Sequence, residues 1–237
     1  MEWKNCHDWP IDKKAAYNLQ DERVRQVNLT GNAREPQLIA AVETTYGFGG
    51  ETMFAAAVIV TFPDFEEVER AFYFGTPEFP RSPNLNYFHE GQAMVGVLSA
   101  LRGDADVIMV HGEGVCHPRR CGTACHIGVD FDKPTIGYSR RLQHGSHRPI
   151  GPTKGHWQRI TLRGEEVGIA FRTKDGVKPI YISPGHRCDI KFAQDIVKRS
   201  LRGFRLPEPV RLAHLLVNKY RRKIEKGERK HQLAPVA

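Results

Sequence analysis

The sequence predicts a mixed α/β fold: a sheet of five or more strands, combining an antiparallel hairpin with parallel strands and flanked by helices. Three observations carry this reading. Three strand-like runs follow one another across short turns between residues 38 and 75. Helical and strand-like runs then alternate, which is the pattern of a sheet covered by helices. The strand Val107-Ile-Met-Val110 opens into a glycine-loosened turn crowded with imidazole, carboxylate and guanidinium groups.

Each element has its own signal. Asp12 is placed to cap a helix running to about residue 28, with Ala15, Ala16, Leu19 and Val24 near helical spacing, and Gly31-Asn-Ala-Arg-Glu-Pro36 breaks that pattern. Leu38-Ile-Ala-Ala-Val42 is a strand that continues into Glu43-Thr-Thr-Tyr46-Gly. The apolar run from Phe54 to Phe62 is its antiparallel partner across the glycine-rich turn at 47–50. Residues 66–75 make the third strand. Phe79-Pro-Arg81-Ser-Pro83 is stiff because each proline fixes its own φ and restricts the residue before it.

A helix is expected from His89-Glu90, with Ala93, Met94, Val97, Leu98 and Leu101 on one face and Gly103 as its stop. The fourth strand is 107–110, a short helix spans 119–128, and the fifth strand is 134–140. Residues 160–182 hold further strands turning at Arg163-Gly164 and Asp175-Gly176. Asp189 caps a helix carrying Phe192, Ile196, Val197 and Leu201, closed by Gly203. Pro209, just inside its start, opens a final helix that holds His214.

With 237 residues the chain can bury one substantial core, so one domain with terminal extensions is expected. The sequence has no long apolar run and no charged-then-apolar leader, so membrane insertion and signal-directed export are not indicated and the cytoplasm is the default. Five cysteines, odd in number and without paired zinc spacing, fit reduced thiols. The net charge of +8 is local: residues 198–230 hold twelve Lys or Arg against three Glu, leaving the rest of the chain near −1. A one-sided positive surface suits a phosphate backbone. Composition alone does not separate that from a solvated helix face.

The turn His111-Gly-Glu113-Gly-Val-Cys116-His117-Pro-Arg119-Arg120 follows a strand's carboxyl end, where open α/β sheets bind ligands. Glu43 interrupts an apolar strand, and carboxylates are almost never buried unpaired, so a site role is favoured. Arg119, Arg120 and Arg140 are candidates for phosphate contact, since guanidinium forks match phosphate oxygens. Arg81 can stack on a base or simply be solvated. By pattern alone Glu90 complements a helix N-terminus and His214 lies on a helix surface. His186 is read as a loop-stabilising residue.

Several motifs together carry a resemblance. Phe79-Pro-Arg-Ser-Pro83, Tyr87-Phe-His-Glu90-Gly91, the His111 to Gly122 run, Pro134-Thr-Ile-Gly137, Gly176-Val-Lys-Pro179, Ser183-Pro-Gly-His186 and Arg205-Leu-Pro-Glu-Pro209-Val-Arg-Leu-Ala-His214 are similar, in order and spacing, to motifs of the endonuclease V family. The match covers roughly residues 36–217. It implies an RNase H-like fold, with residues 1–35 as a helical extension and 218–237 as a basic tail. It also implies metal-dependent hydrolysis of a phosphodiester near a deaminated adenine in DNA or RNA.

By the same resemblance Glu43, Glu90, His111 and His214 are the catalytic, metal-binding set, and His117 assists proton transfer or phosphate binding. Glu43 and His111 stand where the family has aspartates, Arg140 stands for a lysine, and Arg81 stands for a wedge tyrosine. Mg²⁺ is the metal implied by the family, whereas the imidazoles suit Mn²⁺, Fe²⁺, Co²⁺ or Zn²⁺ better. Glu113 can restore the charge lost at His111. The expected partner is DNA or RNA carrying a modified base, extruded for recognition, with the glycines at 47–50 and at Gly112 and Gly114 allowing close approach. No membrane partner is expected, and a monomer is the simplest assembly. Two other readings fit the altered ligand positions: a non-cleaving reader of modified bases, and a glycosylase using Glu43.

Overall fold

Eight strands form one mixed sheet in the order β3-β2-β1-β4-β5-β8-β7-β6. They are β1 (Leu38–Gly47), β2 (Thr52–Thr61), β3 (Glu67–Gly75), β4 (Val107–His111), β5 (Thr135–Ser139), β6 (Trp157–Leu162), β7 (Glu165–Phe171) and β8 (Ile180–His186). The helices are α1 (Lys13–Val24), α2 (Asn86–Ser99), α3 (Thr123–Phe131), α4 (Ile190–Arg199) and α5 (Glu208–Glu225). This computed structural model describes residues 1–30 and 34–227. Residues 31–33 of the expected break and 228–237 of the basic tail lie outside the described residues.

The predicted hairpin is β1 and β2, paired antiparallel, and the turn between them holds Gly49 at φ 72° and Gly50 at φ 102°. Nothing lies within 4 Å of a side chain added at either, so glycine is needed there for backbone conformation alone. β1, β4 and β5 run parallel, with Val42 beside Val110 and Val110 beside Gly137.

β1 is apolar from Leu38 to Val42, and the run from Ile39 to Val42 is buried on both faces. Ala40 and Val42 join Met94 and Leu98 in one core cluster, while Ile39 and Ala41 join Ile196, Val197, Val210, Ala213 and Val217 in another. The first face therefore belongs to α2, and the second to α4 and α5.

Several boundaries differ from the sequence expectation, each for a local reason. The first helix stops at Val24, because the backbone of Asn28 bonds instead to His186 Nδ1 (3.2 Å) and to the Arg187 amide (2.6 Å). α2 begins at Asn86, since Tyr87 and Phe88 extend its buried stripe backward. The helix expected over 119–128 is displaced to Thr123–Phe131: Arg120 takes φ 58°, which is not helical, and the extended Gly122 is the N-cap from which the helix starts. Residues 160–182 belong to three strands, β6, β7 and β8. α4 ends at Arg199, before Gly203, and α5 carries the first part of the predicted tail as helix to Glu225.

The N-terminal segment is fastened to α3. Lys4 and Asn5 amides donate to the Asp130 carbonyl, and the Asp130 carboxylate meets Arg23 at 3.2 Å and the Tyr87 hydroxyl. Burial nevertheless raises the Asp130 carboxyl to about 7. His126 is wholly buried against Tyr87 with neither ring nitrogen hydrogen-bonded, and burial holds its pKa well below the ordinary value. Burial also lowers His7, His186 and His117, the last to about 4.

These groups predict the stability profile. A histidine kept neutral in the fold takes up protons only when unfolded, so its contribution is intact above about pH 6.5 and is lost as pH falls below that value. The loss approaches about 1.4 kcal/mol per pH unit for each such histidine. Asp130 and the buried Glu113, both raised by burial, act oppositely because they bind their protons at higher pH in the fold, but they are two groups against four. Denaturant unfolding followed from pH 7.5 to 5 is expected to show falling stability. A flat or rising profile would contradict the buried neutral assignments.

Candidate active site

Strand alternation assembles the site. On the face toward α4 and α5, β1 presents Ile39, Ala41 and then Glu43; β4 presents Val107, Met109 and then His111; β5 presents Ile136 and Tyr138, with Arg140 just beyond. Each apolar series ends in a polar residue, and parallel pairing sets the three ends side by side. α5 crosses this face on Val210, Ala213 and Val217, which brings His214 to the same place. This is the carboxyl end of the parallel strands, where the sheet leaves a crevice.

Glu43 is the buried centre of the group, only 1% exposed. Its Oε1 accepts from the Tyr138 hydroxyl and from Arg140 Nη2 at 3.3 Å. Arg140 Nη2 also donates to His214 Nδ1 at 3.0 Å, and that nitrogen lies 3.8 Å from Oε1. Because a guanidinium only donates, His214 accepts through Nδ1 and carries its proton on Nε2. The other oxygen, Oε2, faces His111 Nδ1 at 3.5 Å. That separation is an ion-pair distance without hydrogen-bond alignment, and both atoms lack any hydrogen-bond partner.

Above Glu43 the side chains of His111, Arg140 and His214 are 34%, 36% and 33% exposed, forming a rim that a ligand can touch. Further residues hold the rim in place. Arg205 Nη2 donates to the Arg140 carbonyl at 3.0 Å and to the Pro179 carbonyl at 2.9 Å, and Asn218 Nδ2 donates to the His214 carbonyl at 2.8 Å. Tyr138, Arg205 and Asn218 were not among the residues expected from sequence. The two-residue step from Tyr138 to Arg140 was the available signal for Tyr138.

Other expected site residues are placed elsewhere. Glu90 reaches β1 from the α2 face, where its carboxylate accepts from Thr44 Oγ1 at 3.0 Å and the Tyr46 hydroxyl at 2.8 Å. Arg81 lies over the Tyr46 ring, 3.9 Å from its centre. His117 is buried with both nitrogens engaged: Nδ1 accepts from the Arg119 amide at 3.2 Å and Nε2 donates to the Asn84 carbonyl at 3.1 Å. It is neutral and pins a loop.

Arg119 pairs with Asp21 and lies over Tyr17, whereas Arg120 pairs with Glu165 at 3.2 Å. Glu113 turns to His144 Nδ1 at 2.9 Å, and burial raises its carboxyl pKa. His186 sits between the Asn28 amide and Asp132, in a loop-stabilising position. Gly114 and Gly137 serve packing within the protein. A Cβ on Gly114 would lie 2.1 Å from the Pro184 carbonyl, and one on Gly137 would lie 2.6 Å from the Gly114 nitrogen.

Comparison with known proteins decides the family. The family model "Endonuclease V" matches residues 21–215. The chain belongs to the endonuclease V family. It is 36% identical over 213 residues to the Endonuclease V of Trichormus variabilis, covering 90% of this chain and 96% of that protein. With the Endonuclease V of Roseiflexus castenholzii it shares 37% identity over 216 residues, covering 91% and 96%. The crystal structure of the Endonuclease V from Streptomyces avermitilis superposes with a TM-score of 0.85 at 32% identity, covering 93% of this chain and 96% of that one. The RNase H-like sheet expected from the resemblance is the fold observed. As a member of this family the chain is a hydrolase of the nuclease class, with nucleic acid as its partner and a nucleic-acid repair function. Among the described residues no helix is long and apolar enough to cross a membrane.

Family resemblance also suggests dependence on a divalent metal, and the residues can be tested for it. Such an ion needs several oxygen or imidazole ligands turned to one point. Here one carboxylate faces the crevice, and the Arg140 guanidinium bridges it to His214, engaging Glu43 Oε1 at 3.3 Å and His214 Nδ1 at 3.0 Å. Glu90 is spent on Thr44 and Tyr46. Among the described residues no group of three or more His, Cys, Asp or Glu is arranged to hold a metal ion. The donor set in this arrangement does not fit the Mg²⁺ or transition metal expected from sequence. The cation beside Glu43 is Arg140.

Proposed function

We propose that this endonuclease V family member cuts a nucleic-acid strand near a deaminated adenine, at the crevice lined by Glu43, His111, Arg140 and His214. The observation that carries the reading is the convergence of three parallel strand ends and α5 on one buried carboxylate beneath a partly exposed rim of one guanidinium and two imidazoles. Arg140 is placed to bind the oxygens of the scissile phosphate and to offset charge gained in the transition state. His111, its Nδ1 toward Glu43, offers Nε2 as a proton acceptor, and His214, once Arg140 turns to the phosphate and Nδ1 takes up a proton beside Glu43, offers its Nε2 proton as an imidazolium to the departing oxygen. Glu43 positions both rings and holds the charge that forms on them.

Exposed basic residues on the helix that bears His214 support a nucleic-acid strand as ligand. Lys219, Arg222 and Lys226 are exposed at helical spacing along α5, the helix that bears His214. The buried free thiols of Cys116, Cys121, Cys125 and Cys188 support the cytoplasm as the compartment.

The test is strand scission of inosine-containing and unmodified DNA and RNA by the wild-type protein. Cleavage restricted to inosine-containing strands is the expected result. Release of free hypoxanthine from an unbroken strand would replace this reading with a glycosylase. Tight binding without cleavage would replace it with a reader.

A further inference from the structure

We infer that the crevice cleaves RNA without a divalent metal, by making the substrate's own 2′-hydroxyl the nucleophile. The inference rests on the site assignment proposed above and deepens it by naming the substrate class and the chemistry. It starts from the disagreement between the family's metal and this side-chain set. One carboxylate, two imidazoles and one guanidinium are poor ligands for Mg²⁺. They are a sufficient set for acid-base transesterification, which needs a proton acceptor, a proton donor and a fixed cation, and no activated water.

The geometry assigns the parts. Glu43 Oε2 lies 3.5 Å from His111 Nδ1, close enough for its charge to favour the proton on that nitrogen and to leave Nε2 as the base. Glu43 Oε1 lies 3.8 Å from His214 Nδ1, so the same carboxylate can support an imidazolium there. Arg140 Nη2 touches both partners, at 3.3 Å and 3.0 Å, and its side chain is exposed enough to turn onto a phosphate. When it does, His214 Nδ1 is released to face Glu43.

The step balances within these groups. His111 Nε2 takes the proton of the 2′-hydroxyl, and the 2′-oxygen forms a bond to phosphorus. The bond from phosphorus to the 5′-oxygen breaks, and that oxygen takes the Nε2 proton of the His214 imidazolium. The products are a 2′,3′-cyclic phosphate and a 5′-hydroxyl. Arg140 neutralises the charge gained by the phosphoryl oxygens, and no electron donor or acceptor is involved. DNA, lacking the 2′-hydroxyl, cannot follow this route.

The experiment uses the full-length protein in excess EDTA on an inosine-containing RNA and on the same RNA with a single 2′-deoxy residue on the 5′ side of the cleavage point. Cleavage of the first, with cyclic-phosphate ends, is expected, together with a loss of at least about 100-fold on the second and in His111→Ala. Glu43→Gln purified in parallel must be similarly impaired, and equal cleavage by that protein would overturn the inference. Cleavage only after Mg²⁺ or Mn²⁺ is supplied, leaving 3′-hydroxyl and 5′-phosphate ends, would overturn the inference and leave the proposed function standing. No cleavage under either condition by folded protein would overturn both.

Discussion

Glu43→Gln is expected to lower strand cleavage by about 10²–10⁴-fold, the range spanned by a positioned acid-base group. The substitution keeps the shape of the side chain and an oxygen that can accept from the Tyr138 hydroxyl. It removes the negative charge that orients His111 and supports a charged His214. The damage to folding should be modest, because Arg140 is about one-third exposed and water can solvate it when its partner is gone. Cleavage rate and unfolding midpoint measured on the same preparation separate the two effects. A variant that loses activity only in proportion to lost folded protein would show that the carboxylate is structural.

Arg140→Ala carries the second large effect, a loss of about 10²–10³-fold in cleavage, comparable with removal of a transition-state charge donor. The residue is the cation of the crevice, and its Nη2 bonds to both Glu43 and His214. Arg140→Lys should fall between wild type and alanine, since an ammonium keeps the charge but lacks the planar fork that reaches two partners at once. Single-turnover rates at saturating substrate resolve these three proteins. Equal rates for wild type and Arg140→Ala would place the chemistry elsewhere.

Much of the fold was legible because it depends on short-range patterns. The two-sided apolar run of β1, the glycine turn into β2, the Asp12 and Asp189 caps and Pro209 near the start of α5 are local signals, and each marks a real element. Boundaries failed where a distant contact outbid the local pattern, as when His186 and Arg187 draw Asn28 out of the first helix. The clustering of the candidate residues was readable at strand ends. Glu43, His111 and Arg140 stand at the ends of three apolar series, and the family motif supplied His214.

What sequence could not supply was facing and partnership. Glu90 belongs to the motif, yet it approaches β1 from the opposite face and is satisfied by alternate residues, Thr44 and Tyr46. His117, Arg119 and Arg120 share the polar turn after β4, but the turn directs them to Asn84, Asp21 and Glu165. A run of adjacent polar residues spreads its side chains in several directions, so crowding in sequence did not become crowding in space. Only the folded arrangement could show that a guanidinium occupies the position where a metal was expected.

The most direct measurement is the structure of the protein with a non-cleavable oligonucleotide spanning the cut position. The scissile phosphate is expected against the Arg140 guanidinium, with His111 and His214 on either side of it and Glu43 beneath. A phosphate seated instead beside Glu90, or in the cleft of about 770 Å³ lined by Arg148, Trp157 and Arg159, would contradict it.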